Sequence, residues 1–596
     1  MRDPSVRRRR TLDSDERVLV PVGPDAERWR TFGSERTLVV AARTVTSLVR
    51  VLDVVPEIVH DDARVTVVFA YDPTSAFNNG VLDLLRASGC RTVPWSQLPE
   101  ISPDLLVSAS ENISVPAGDY PVLVLPHGVG FHKLVPDSSG AGTRLSGLVP
   151  HDLLTARRAW LAVSHPDQAA QLFAAHPETA GRTVLVGDPC LDRLRASARW
   201  RERYRSVLGL IPGQRLVLIS STWGGESLIG TWPELPTELL AQLPTDEFRV
   251  ALVLHPNVWS AHGAWQVRVM QQSALESGLI VIDPTDGWQQ ALVASDVVIG
   301  DHGSVTLYGA ALDRPVLLAA FGSEAVPGTA GYALRSAAPW VVPGQSLRGQ
   351  LEDTLAGHHP DRFADVAARA FAEPDAALTR LRNLVYDLMG LPARKRLPPR
   401  SPRAFPLPPP TLTRVRSLMV HTEVERDGRG DVHVRVRRFP AVLADEPTEG
   451  ESSFWHLACD IDEPDTRLTD SASVIYATAG PFASETAAGA AARLLSDFPG
   501  ARIVAFPQEN GHLVGLRDGR TIRVTASGGP AISPGTAAAA VYACLRGGLP
   551  LLDMMLHLWH GPRKLRLVLQ ESRSSGDQPA VSRASTSAAR GLPPSL

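Results

Sequence analysis

From Arg36 onward, short runs rich in Val, Ile and Leu alternate with amphipathic stretches, and this alternation sets the expected fold. The apolar runs predict strands at Leu38 to Ala41, Val65 to Phe69, Leu105 to Ser108, Val122 to Leu125, Trp160 to Val163 and Val184 to Val186. The spacing of apolar residues between them predicts helices at Val45 to Val54, Gly80 to Ala87 and Asp167 to Ala175. Strands that are apolar on both faces, with helices in between, imply a parallel sheet, because parallel strands need crossover connections. Residues 36–186 are therefore expected to form a first Rossmann-like α/β domain.

A second set follows the turn Gly187-Asp188-Pro189 and a long charged helix expected from Leu191 to Leu208. Its strands are expected at Leu216 to Ser220, Val250 to Leu254, Leu279 to Ile282, Val297 to Ile299 and Val316 to Ala319. Residues 187–390 thus read as a second Rossmann-like domain, and the pair as tandem α/β halves. In open α/β sheets ligands sit outside the carboxyl ends of the strands, so the cleft between the halves is the expected site. Residues 391–411, rich in Pro and Arg, read as a stiff extended linker. Residues 412–570 mix strands, hairpin turns such as Arg517-Asp518-Gly519, and helices from Ala483 to Asp497 and Pro534 to Leu545, which predicts a separate α+β domain. The Ser-, Ala- and Arg-rich end, 571–596, reads as a disordered tail, and 1–35 as a flexible basic N-terminus.

Composition narrows the function classes. Sixty Lys and Arg against 63 Asp and Glu give a net charge of -3, which argues against nucleic acid as the main partner. The four cysteines, Cys90, Cys190, Cys459 and Cys544, form no Cys-x-x-Cys pair. His456, His557 and His560 have no metal-site spacing, so neither a metal nor a cofactor is expected. No apolar run is long enough to span a bilayer and no signal peptide is read, so the expectation is a cytoplasmic protein, with a peripheral membrane position open to it. The Gly-x-x-x-x-Gly-Lys-Ser/Thr loop of P-loop GTPases does not occur.

Four polar turns fall at the carboxyl ends of expected strands. In Leu125-Pro126-His127-Gly128-Val129-Gly130, an imidazole suited to accept a proton from a hydroxyl makes His127 the candidate general base, beside a glycine that permits close backbone approach. In Ser220-Ser221-Thr222-Trp223-Gly224-Gly225, Thr222 is a phosphate-binding candidate, while Trp223 packs on a base or fills a gap. His255, in Leu254-His255-Pro256-Asn257, is positioned to donate to a diphosphate leaving group. In the fourth turn, Asp301 reads as a turn former. His302, Gly303 and Ser304, at the start of a helix expected over Val305 to Leu312, read as the phosphate contacts. The alternative for this last turn is a plain strand-to-helix connection capped by Ser304.

These residues carry a resemblance. His127-Gly128, Ser221-Thr222-Trp223, His255-Pro256, Asp301-His302-Gly303-Ser304-Val305 and Leu312-Asp313-Arg314-Pro315 resemble motifs of the CDP-glycerol glycerophosphotransferase family, the teichoic-acid polymerases, over about residues 36–390. The tandem halves likewise resemble the GT-B glycosyltransferase fold. The resemblance implies a transferase that moves a glycosyl or glycerophosphoryl group from a nucleotide-activated donor to an acceptor hydroxyl, on a cell-envelope polymer or lipid. It places His127 at the acceptor and His255 and Ser304 near the donor phosphates. The family's His-Gly-Thr-Pro is here His127-Gly128-Val129-Gly130, and its Asp-Tyr-Ser-Ser is Asp301-His302-Gly303-Ser304. A basic residue before its second histidine is replaced by the apolar run Leu252 to Leu254. A nucleotide-sugar 2-epimerase, which would need an acidic pair in the cleft, and a non-catalytic nucleotide-binding scaffold are the competing readings.

Overall fold

The computed structural model describes residues 17–23, 25–136, 142–394, 400–409, 414–443, 453–480, 486–527 and 532–571. The Arg7 to Arg10 run, most of the N-terminal segment and the tail beyond Glu571 lie outside them. The chain divides into two compact units, one running to Val415 and one beginning at Arg416, with Val442 and Leu443 grouping with the first.

The first unit contains two parallel sheets. Strands β1 (Arg36–Ala42), β2 (Val65–Tyr71), β3 (Thr92–Pro94), β4 (Leu105–Ser108) and β5 (Val122–Val124) precede a small antiparallel hairpin of β6 (Leu134–Pro136) and β7 (Thr143–Leu145). With β8 (Ala159–Val163) and β9 (Thr183–Leu185) they give a seven-stranded sheet in the order β3-β2-β1-β4-β5-β8-β9. The second sheet, β10 (Arg215–Ser221), β11 (Phe248–Leu254), β12 (Ile280–Val281), β13 (Val297–Gly300) and β14 (Val316–Leu318), has the order β12-β11-β10-β13-β14. The apolar runs are buried as expected of strands covered on both faces: Val39, Val40, Leu218 and Val298 are fully inaccessible. In each sheet the strand order reverses, next to β1 and next to β10, and such a reversal opens a crevice at the carboxyl ends. The expected strands of both parallel sheets recur with ends shifted by at most two residues, whereas the short strands β3, β6 and β7 have no counterpart in the sequence reading.

Two expectations change. The single long helix from Leu191 to Leu208 is instead Pro189–Ser197, a 3-10 turn at Ala198–Trp200, and Arg201–Val207, with Asp188 capping the first piece through the N–H groups of Cys190 and Leu191. The described part of the proline-rich stretch, residues 400–409, has no helix or strand and is strapped to the unit. Phe405 is 3% exposed in the core, its carbonyl accepts from Tyr204 Oη at 2.7 Å, and the Arg193 guanidinium lies 4.0 Å over its ring. One aromatic side chain suffices to dock a segment whose composition otherwise reads as a spacer. Beyond it in the core, the helix Ala377–Leu388 returns to the first sheet, burying Leu381, Val385 and Tyr386 there.

In the second unit the mixture of strands and helices closes into a barrel. Strands β15 (Ser417–Arg426), β16 (Val432–Pro440), β17 (Ser453–Asp460), β18 (Val474–Tyr476), β19 (Ile503–Gln508), β20 (Gly511–Leu516), β21 (Thr521–Ser527), β22 (Met554–His560) and β23 (Arg563–Glu571) pair in the order β15-β16-β22-β23-β21-β20-β19-β18-β17. The helix Pro534–Arg546 is buried without interruption from Pro534 to Cys544, as a helix inside the ring must be. Its run Ala537 to Ala540 presents only methyl groups, which lets the strands approach. A second helix, Ala487–Asp497, packs outside over β19 and β20, and Gly515 admits it: a Cβ there would sit 2.5 Å from that of Ala491.

Candidate active site

A cavity of about 350 Å3 lies in the first unit where the carboxyl-end loops of both sheets converge. Arg43 and Thr44 follow β1 and Glu111 follows β4, so these loops come from the reversal in the first sheet. Thr222 and Trp223 follow β10 and Gly303 and Ser304 follow β13, from the reversal in the second. His127 and Gly128 come from the loop after β5, and His255 from the loop after β11. Of the residues singled out in the sequence, His127, Gly128, Thr222, Trp223, His255, Gly303 and Ser304 all line this one cavity. His302 does not.

Asp301 ties two of these turns together. Its fully buried carboxylate accepts the N–H groups of Thr222 (2.8 Å) and Leu228 (2.9 Å) on one oxygen and of Gly303 (2.9 Å) on the other. Charge-assisted bonds of this kind are about twice as strong as neutral ones, and here they staple the loop after β10 to the loop after β13. They also consume the Gly303 N–H, which was expected to meet a phosphate. The helix begins at Ser304 (Ser304–Ala311), Gly303 is its N-cap, and no side chain caps it. Ser304 is therefore the first helical residue and not the cap. Gly303, Ser304 and Val305 at the helix start line the cavity, and the first turn of a helix, with its free N–H groups and dipole, favours an anion.

The Ser304 hydroxyl reaches across to the acceptor-side turn, accepting the Val129 N–H at 3.2 Å. Gly128 makes that approach possible, since a Cβ on it would stand 2.5 Å from Ser304 Oγ. Beneath the two turns, buried Arg50 donates to Tyr308 Oη at 3.0 Å and to the Gly128 carbonyl at 3.3 Å, while Tyr308 donates to Asp188 at 2.7 Å. One polar network thus fixes the His127 turn, the connector at Asp188 and the Ser304 helix together.

The two cavity histidines differ in state. His255 caps the helix Pro256–Met270 by accepting the Asn257 N–H on Nδ1 at 3.1 Å, so the neutral ring carries its hydrogen on Nε2. Burial, reinforced by Lys133 and His127, holds its pKa well below the ordinary imidazole value. It is a neutral hydrogen-bond donor. His127 has Nδ1 4.0 Å from Glu111 Oε2. The surrounding cleft walls lower its pKa, Lys133 and Arg50 act the same way, and Glu111 opposes them. His127 is consequently neutral near pH 7, the form a base requires.

His302 is buried away from the cavity. Its Nδ1 accepts the Gly322 N–H at 3.0 Å and its Nε2 lies 2.8 Å from Glu324 Oε1. With both nitrogens engaged it has none left for a donor phosphate; it orients Glu324 instead. Glu324 in turn lies 3.5 Å from Lys133 Nζ, which donates to Thr222 Oγ1 at 3.1 Å and sits 5.7 Å over the Trp223 ring. Trp223 also meets Phe77, from the loop after β2, at 5.3 Å between ring centroids.

Lys133, Glu111 and Arg50 were not singled out in the sequence. Each is a lone charged residue in a loop or on a helix face, and only the fold brings it to the cavity. Among the described residues no group of three His, Cys, Asp or Glu is placed to hold a metal ion, and no helix is long and apolar enough to cross a membrane.

Residues 115–334, which include all four turns, match the model of the CDP-Glycerol:Poly(glycerophosphate) glycerophosphotransferase family, the family that the short motifs resemble. The match supports a transferase acting with a nucleotide-activated donor. No curated protein matches the chain. Among solved structures, the wall teichoic acid polymerase TagF is 14% identical, covering 60% of this chain and 90% of its own at a TM-score of 0.43. The UDP-GlcNAc 2-epimerase from Neisseria meningitidis bound to UDP-GlcNAc is 14% identical, covering 59% and 99% at a TM-score of 0.34. The MnaA-UDP structure from S. aureus is 12% identical, covering 62% and 100% at a TM-score of 0.37.

Proposed function

We propose that the cavity transfers a glycerophosphoryl or glycosyl group from a nucleotide-activated donor to an acceptor hydroxyl, with the two parallel-sheet halves in a GT-B arrangement. The observation that carries this reading is the convergence of both strand-order reversals on one cavity, with a neutral imidazole on one wall and an uncapped helix start on the other. Residues 36–186 then form the acceptor side and 187–390 the donor side, with 391–411 leading to the C-terminal domain.

For a glycerophosphoryl donor, His127 takes the proton of the acceptor hydroxyl as its oxygen bonds to the transferred phosphorus. The bond from that phosphorus to the bridging oxygen breaks, and the nucleoside monophosphate leaves with that oxygen. Glu111, 4.0 Å away, stabilises the imidazolium that forms. Charge on the leaving phosphate meets the N–H groups at the start of the Ser304 helix, the Nε2–H of His255 and the Lys133 ammonium; fixed donors of this kind stabilise developing charge without reorganising. The acceptor belongs to a cell-envelope polymer or lipid, reached from the cytoplasmic side by peripheral attachment.

A thermal-shift series with CDP, UDP, GDP and CMP tests the donor side. A ligand at 100 times its Kd stabilises the folded state by about 2.7 kcal/mol, and at least one of the four is expected to raise Tm accordingly. No stabilisation by any of them would overturn the donor site.

A further inference from the structure

Part of the outer face of the C-terminal barrel, over four adjacent strands, carries cations at its outward positions. Burial alternates along β16, β22, β23 and β21, with Val434, Leu558, Leu567 and Val524 pointing inward, so their neighbours point out. Across these four adjacent strands the outward positions include Arg435, Arg437, Lys564, Arg566 and Arg523, and no carboxylate. Carboxylates border the face on more than one side: Glu423 on β15, 3.4 Å from Arg435 and 3.2 Å from Arg437; Glu425, opposite His433; Asp427 of the hairpin turn, 3.3 Å from His433; Asp518, 2.7 Å from Arg520 in the turn before β21; and Glu571 at the end of β23.

The cations are arranged in rows. Register places Arg435 opposite Trp559 and Trp559 opposite Lys564, and in the next row His433 opposite His557 and His557 opposite Arg566. Neighbouring strands are about 4.8 Å apart and alternate residues along a strand about 7 Å apart, so Arg435, Arg437, Lys564 and Arg566 stand about 7 to 10 Å from their nearest cation, with Arg523 farther off, opposite Gln570. That spacing suits a repeating chain of single charges better than one compact anion.

The rings on this face distinguish among polyanions. Proteins that grip single-stranded nucleic acid do so with open aromatic faces on which bases stack. Here the rings already have partners: His433 stacks on His557 with centroids 5.1 Å apart, and the Lys564 ammonium lies 5.0 Å over Trp559, which is 36% exposed. Beside that single partly covered indole the surface offers N–H donors and cationic charge.

We infer that this barrel face binds an extended phosphodiester chain that carries no bases, and so holds a polymeric substrate or product. The choice of glycerol phosphate as the repeating unit rests on the transfer reading above; the charge and ring arguments do not.

The test uses the full chain and three fluorescent probes: a synthetic poly(glycerol phosphate) oligomer, a thymidine oligonucleotide of equal charge, and neutral dextran. The oligomer is expected to bind at low salt with an affinity that falls as salt rises, by about 0.7 log units per phosphate contact for each tenfold in salt. Lys564→Gln with Arg566→Gln should weaken it at least tenfold and lower the slope by about 1.4. The conservative Lys564→Arg should retain binding, and dextran should not bind. No salt-sensitive binding of the oligomer, or equal binding by the double variant, would overturn the inference. Tenfold tighter binding of the oligonucleotide would also overturn it, in favour of a nucleic-acid partner. The cleft reading is separable, because Lys564→Gln with Arg566→Gln leaves nucleotide-dependent stabilisation unchanged on this account. Oligomer binding in a protein that no nucleotide stabilises would uphold the barrel surface while the donor site falls.

Discussion

Glu111 and His127 make the acceptor side sensitive to pH in a defined direction. The His127 pKa lies below the ordinary imidazole value of about 6.5, and a base acts only when deprotonated. The acid limb of kcat/KM should therefore have its midpoint below about pH 6.5. Glu111, ahead of a backbone hydrogen bond with Ala109, pulls this pKa up, so Glu111→Gln should move the midpoint further toward acid while lowering kcat; an unmoved midpoint would separate the two residues. Stability has its own titrating residue in Asp62. Its side chain is tied to Arg64 at 2.9 and 2.6 Å and accepts from Tyr386 at 3.0 Å, which holds its pKa at about 2. A carboxyl lowered on folding contributes stability above its unfolded pKa of about 3.9 and loses it as pH falls toward the folded value. Asp62→Asn should cost about 2 to 3 kcal/mol at pH 7, with the difference from wild type shrinking below about pH 4 in urea melts. At this scale the sequence was readable where function rests on a glycine or histidine in a turn. It was opaque for His302, whose neighbours Gly322 and Glu324 arrive from a later loop, and for Lys133, which no local pattern marks.

Among elements, the contact between the His127 turn and the Ser304 helix is the tightest constraint. Gly128→Ala would drive a methyl group to 2.5 Å from Ser304 Oγ, so the turns must part. Loss of nucleotide-dependent stabilisation together with a lowered Tm is expected, and thermal melts with and without nucleotide check it. The strap at Phe405 acts through packing: Phe405→Ala should cost about 3 to 5 kcal/mol, the range for truncating a buried aromatic, measured by denaturant unfolding. Most strands of the two parallel sheets were legible because each is a short, unbroken apolar run; the three-residue strands β3, β6 and β7 were not. Three barrel strands, β17, β22 and β23, have no counterpart in the sequence reading, which followed unbroken apolar runs; their alternation, as in Leu565, Leu567 and Leu569, is itself a strand pattern of one buried face. The single long helix after Asp188 broke at Ala198–Trp200, where three residues tighten to 3-10 geometry within a charged run that shows no interruption in sequence.

At the scale of the molecule, one unit builds a cleft from two parallel sheets and the other closes a barrel around a helix. Alternation of apolar runs and amphipathic stretches made the first legible as α/β, because local crossovers connect strands that lie near one another in sequence. The barrel joins strands as distant as β16 and β22, a pairing that no local pattern encodes. The central claim is that the cleft is a transferase whose base is His127. Release of CMP from CDP-glycerol, measured with and without a glycerol phosphate acceptor in wild type and His127→Ala, tests it most directly. Acceptor-dependent release in the wild type, reduced by about 100-fold or more in His127→Ala while nucleotide stabilisation persists, is the predicted result. Undiminished release by His127→Ala would contradict it.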